Sequence, residues 1–260
     1  MRSVIRRSVP ATVPATVGLA WTGLLAAELS GAPIGHDDLA GGSLPLLEAL
    51  GVFGVAWVAM VVAMMVPSSY PLVRVFAATT ADLPDRATRL TAFLVGYVAV
   101  WTLFGFALLL ADLGVHAALD GSPNPGAVHA SLIGDVLLVA GAFQLTGRKL
   151  RCLERCRHPV WGGAGGPARG GAAGAGAWGG AAGAGAWGGA LRLGRSHGLA
   201  CLGSCWALML VVFALGSPQV AWMTLFGGLM VYEKAGRHGA AVARLAGAAL
   251  LAASVLAALS

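Results

Sequence analysis

Charge is what this chain has least of. Of its 260 residues, 11% are Asp, Glu, Lys or Arg, whereas 57% are hydrophobic and mean hydropathy is +0.78. A water-soluble domain needs a charged surface, so this composition excludes one. No Walker lysine motif is present, which excludes that route to ATP. Basic residues outnumber acidic ones, 17 to 11, but they are not interleaved with aromatics, which argues against nucleic acid as a partner. Lys and Arg are missing altogether from residues 30–45 and 111–130. Cysteine is scarce, at four residues.

What is present is a series of apolar runs near the length that crosses a bilayer core, about 20 residues. The expected fold is an all-α polytopic membrane protein with about seven transmembrane helices. They fall near residues 13–29, 46–66, 90–110, 131–146, 199–215, 220–232 and 240–259. The first is read as a retained span rather than a cleaved signal peptide. The second should end or kink at Pro67–Pro71, since proline cannot continue the helical ladder. With the N-terminus in the cytoplasm and the C-terminus external, every Lys and Arg except Arg244 lies in a cytoplasmic segment. That is the positive-inside asymmetry.

Residues 1–260 are read as a single membrane domain. Within it, 159–196 is expected to be a flexible Gly/Ala-rich cytoplasmic loop. It carries a tandem nine-residue repeat, Gly170–Trp178 and Gly179–Trp187. Glycine at that density cannot offset its own ordering entropy.

The chemistry-bearing residues are sulfur ligands. His197, Cys201, Cys205 and Met209 recur every four residues and form one helical stripe. Cys152 and Cys156 repeat that spacing, and Met60, Met64 and Met65 cluster in the second run. The topology brings all three segments to one membrane depth. Thiolates and thioethers select Cu(I), and thiolates also select Zn(II). A zinc site closes with four ligands, whereas Cu(I) needs two or three and accepts methionine, so Cu(I) is favoured over Zn(II). The expected metal ligands are Cys152, Cys156, Cys201, Cys205, Met60, Met64, Met65 and Met209. Met209 lies about 12 Å along the helix from Cys201, so it serves a second stop rather than the same ion. His197 is expected at the interface, and Met223 and Met230 in packing. Asp135 and Arg244 are membrane-embedded ionisable groups, with Glu233 within reach of Arg244. No catalytic residue is assigned.

Four ordered motifs carry a resemblance. They are Trp57-Val-Ala-Met60-Val-Val-Ala-Met64-Met65-Val-Pro67-Ser68; Phe143-Gln-Leu-Thr146 leading to Lys149-Leu-Arg-Cys152-Leu-Glu-Arg-Cys156-Arg157-His-Pro159; Gly198-Leu-Ala-Cys201-Leu-Gly-Ser-Cys205-Trp206-Ala-Leu-Met209; and Trp222-Met223 to Glu233-Lys234. Over residues 51–234 the chain resembles the bacterial predicted metal-binding integral membrane protein family, domain of unknown function 2182. The resemblance implies a multi-pass protein of the bacterial cytoplasmic (inner) membrane with a metal role. Two positions depart from the family pattern: Ser204, where a further cysteine is frequent, and Gly147, where proline is.

The reading is therefore a soft-metal binding or handling protein, with membrane lipid, the metal ion and a metal-delivery protein as partners. The alternative is a membrane thiol–disulfide oxidoreductase using the two cysteine pairs. A third reading is a structural or partner-binding subunit.

Overall fold

The computed structural model describes residues 9–32, 45–119, 125–157, 186–216 and 220–259. These residues form eight α-helices and no strand. They are α1 (Thr12–Ser30), α2 (Leu46–Thr79), α3 (Arg86–Leu119), α4 (Pro125–Leu145), α5 (Gly147–Arg157), α6 (Ala186–Ala214), α7 (Val220–Ala235) and α8 (Gly239–Leu259). Five of them, α1, α2, α3, α6 and α8, are long and apolar enough to cross a membrane. Residues Ser131–Leu145 of α4 form a shorter apolar helix. Large apolar side chains point outward from several helices, among them Leu19, Leu47, Val55, Leu103 and Leu259.

Helix α2 departs from expectation. It does not end at Pro67 but runs on through Pro67 and Pro71 to Thr79. Pro67 lacks the amide that would bond Ala63 O one turn back, and Trp21 Nε1 of α1 donates to that carbonyl instead, at 3.1 Å. A neighbouring helix thus fills the gap, which is how proline is tolerated in packed apolar helices. At 34 residues, α2 is about 51 Å long, well beyond the thickness of a bilayer core.

Helix α6 also starts early. Residues 186–196, expected within the flexible loop, form its first three turns, and Ala190 and Leu193 there are buried. The rest of the loop, including most of the glycine repeat, lies outside the described residues.

Small residues bring the main helix pairs together. A Cβ on Gly194 of α6 would collide with the Phe93 backbone of α3, and one on Gly96 with Leu191 O. Gly141 of α4 and Gly247 of α8 meet in the same way. Backbones approach closely only where side chains are absent. Helix α5 is short and amphipathic. Lys149, Leu153 and Cys156, at i, i+4 and i+7, are its buried residues, so it lies against α6 and α7 with Arg148, Arg151 and Arg155 exposed. These contacts direct one end of α2, α3, α5, α6 and α7 into a common core.

Candidate metal centre

Cys201 lies at the middle of that core. It is fully buried on α6, and Cys205 sits one turn further along the same helix, equally buried. Cys156 of α5 is buried in the same cluster as Cys201 and Cys205. Ser204 fills the space between them. Its hydroxyl donates to Cys201 O at 2.8 Å and lies 3.4 Å from Cys205 Sγ and 3.6 Å from Cys156 Sγ. The Cys156 thiol is held below its ordinary range, first by its interaction with the Cys201 thiol; burial opposes this and the Lys234 charge assists. All four cysteines are free thiols. Among the described residues, however, no three His, Cys, Asp or Glu side chains form a metal-holding group. The three buried thiols therefore gather about Ser204 without forming a closed four-ligand cage.

A polar network surrounds this thiol. Lys234 Nζ of α7 donates to Cys201 Sγ at 2.8 Å and to Ser68 Oγ of α2 at 3.0 Å. Tyr97 Oη of α3 lies 3.0 Å from the same sulfur and 3.1 Å from Met65 O. Ser69 Oγ donates to Tyr97 Oη at 2.9 Å and lies 3.1 Å from His197 Nε2. His197 is thus buried and stacked on Tyr97, rather than interfacial as expected. Beside this chain, Lys149 Nζ donates to Ser204 O and to Glu233 Oε2, both at 2.6 Å. Gln144 Nε2 donates to Glu233 Oε1 at 2.7 Å. Glu233, a candidate partner of Arg244 in the sequence, pairs with Lys149, and Arg244 is exposed on α8, where a side chain can snorkel to the interface. Asp135 is exposed as well.

Met60, Met64, Met65 and Met209 are all buried in the hydrophobic cluster that also holds Cys156, Cys201 and Cys205. Met64 packs on Gly227 of α7, and Met65 joins the polar network through its carbonyl. Met223 and Met230 are buried in the same cluster. Cys152 stands at its edge, half-buried, with Sγ against Gly203.

Sequence reasoning missed Tyr97, Ser68, Ser69, Gln144, Lys149 and Lys234 as parts of this network, and singled out Glu233 with a different partner. One signal was available. Lys149 and Lys234 are the only lysines in the chain, against 15 arginines. Lys149 shares the i, i+4, i+7 face of Leu153 and Cys156, and so belongs to the buried side of α5, not to the loop surface.

Helices of membrane-crossing length packed around buried cysteines and methionines define a class: a helical protein with a soft-ligand core. The chain belongs to the copper chaperone family PpoB2, which matches residues 54–257. No curated protein and no solved structure matches it. The match supports copper handling and does not name domain of unknown function 2182. All eight sulfur residues expected as ligands fall inside the matched range.

Proposed function

We propose that this chain is a multi-pass protein of the bacterial cytoplasmic membrane, folded as one domain, that binds Cu(I) at a cysteine site and hands it on. Cu(I) is its cargo. Cys201 is the anchoring ligand, Cys205 and Cys156 lie beside it, and Cys152 stands at the edge where an ion arrives or leaves. Met60, Met64, Met65 and Met209 offer thioethers deeper in the same core. The observation that carries this reading is the gathering of three buried thiols, Cys156, Cys201 and Cys205, around Ser204 in a chain of the copper chaperone family. Soft donors suit Cu(I), and two or three of them suffice. Zinc prefers four, which makes Zn(II) the lesser candidate. A delivery protein on the cytoplasmic side is the natural exchange partner, because ligand exchange between thiols needs no energy input from ATP.

The test is metal stoichiometry of the reduced, detergent-purified protein beside Cys201→Ser/Cys205→Ser. The expected outcome is near-stoichiometric copper in the wild type and its loss in the variant. Copper retained by the variant removes the assignment of these ligands.

A second reading rests on the same contacts. Three thiols buried in one cluster also permit disulfide exchange, which makes a thiol–disulfide oxidoreductase the alternative. A metal-free wild type that forms a Cys201 disulfide under mild oxidant favours it. Neither metal nor disulfide leaves a structural role.

A further inference from the structure

Both lysines of the chain are buried beside the thiols, but they differ in their partners. Lys149 is neutralised by Glu233 at 2.6 Å. Lys234 donates to Ser68 Oγ and Cys201 Sγ, and among the described residues no carboxylate forms an ion pair with it. The adjacent carboxylate, Glu233, turns away to Lys149 and Gln144. A buried ammonium without an anion is costly. The groups facing Lys234 are a serine hydroxyl and sulfur.

Copper binding creates the missing anion. When Cu(I) takes two thiols, two S–H bonds are replaced by two Cu–S bonds and two protons leave to solvent. The oxidation state of copper does not change, and the resulting centre carries one negative charge. We propose that Lys234 is the built-in counter-cation of a two-thiolate Cu(I) centre anchored on Cys201. Its positive charge also discriminates against divalent ions. This deepens the copper reading above and rests on it.

Two effects act in the same direction. The repulsion between the ammonium and a bound metal is twice as large for a dication as for Cu(I), and low dielectric magnifies the difference. The ammonium also occupies one side of Cys201, where a four-ligand ion would need a further donor. Lys234 is a positioning residue here; it does not ligate.

The experiment uses the reduced full-length protein in detergent, as wild type, Lys234→Gln and Lys234→Arg. Cu(I) affinity is read by competition with a chromophoric Cu(I) chelator, and Zn(II) affinity with a zinc-responsive dye. Gln keeps hydrogen-bonding capacity and removes the charge; Arg keeps the charge. Lys234→Gln is expected to weaken Cu(I) by roughly tenfold or more and to lower the Cu(I)-to-Zn(II) affinity ratio. Lys234→Arg is expected to restore both. A purely structural lysine would not shift that ratio. Unchanged Cu(I) affinity and ratio in Lys234→Gln overturn the proposal. X-ray absorption of copper-loaded wild type supplies a reading that does not depend on the variant folding. Two sulfur neighbours, with release of two protons per Cu(I) bound, support the charge balance, and release of three protons overturns it. A wild type that takes up no copper overturns this inference and the copper reading together. Copper lost in Cys201→Ser/Cys205→Ser, with Lys234→Gln indifferent, overturns the counter-cation alone.

Discussion

Glu233 shows how strongly one side chain can be committed in this core. Its two oxygens accept from Gln144 and Lys149, and Lys149 also donates to Ser204 O in the turn between Cys201 and Cys205. Replacing one member of a buried ion pair leaves the other charge uncompensated, at about 3–5 kcal/mol. Glu233→Gln is therefore expected to lower unfolding free energy in detergent by about that amount. Glu233→Leu combined with Lys149→Met removes both charges and is expected to cost less than Glu233→Gln alone. A double variant as unstable as the sum of its single changes would show that the pair is not coupled. The cysteines and methionines stand out in the sequence because their spacing repeats, and the fold buries Cys156, Cys201, Cys205 and the four candidate methionines in one cluster. The lysines, Tyr97 and the serines do not stand out, because isolated polar residues in or beside apolar runs leave no periodic trace. Lys149 is the exception, since its spacing to Leu153 and Cys156 places it on the inner face of α5.

At the scale of a helix, α2 shows where a local rule yields to tertiary contact. Pro67 and Pro71 predict a break, and the apolar pattern before them gives no hint that Trp21, 42 residues upstream, supplies the missing donor. The continuation matters to the site, because it carries Ser68 and Ser69 in helical register to Lys234, Tyr97 and His197. A double-mutant cycle tests the account. Trp21→Phe should cost about 1 kcal/mol of stability through the orphaned Ala63 carbonyl, beyond any packing change. In a Pro67→Ala background the helix provides its own amide to that carbonyl, so the same Trp21→Phe change should cost less. Additive costs from unfolding in detergent would mean that the indole caps nothing. The early start of α6 was hidden for a different reason. The glycine-rich composition continues into residues 186–196, whereas their helix depends on burial of Ala190 and Leu193 and on the close approach of Gly194 to Phe93 in α3.

At the scale of the whole molecule, helical class was legible from apolar run length, while the number of crossings turns on α4 and α7. Five helices qualify by length and composition. Helix α4 has 21 residues, about 31 Å, and packs along α8 through Gly141 and Gly247. Helix α7 has 16 residues, about 24 Å. Its end carries Glu233 and Lys234, both buried inside the protein. Counting both as spans gives seven, with residues 158–185 on the same side as the N-terminus. Counting neither gives five and moves that loop to the opposite side. The positive-inside asymmetry predicts the first arrangement. Arg148, Arg151, Arg155 and Arg157 precede the loop and Arg192 and Arg195 follow it, and Arg-rich segments stay cytoplasmic. A reporter that is active only outside the cytoplasm, inserted between residues 160 and 185, should be silent, whereas the same reporter at 217–219 should be active. The opposite pattern at both sites is what five crossings require. It would also move the α5 cysteines to the external face, away from any cytoplasmic copper donor.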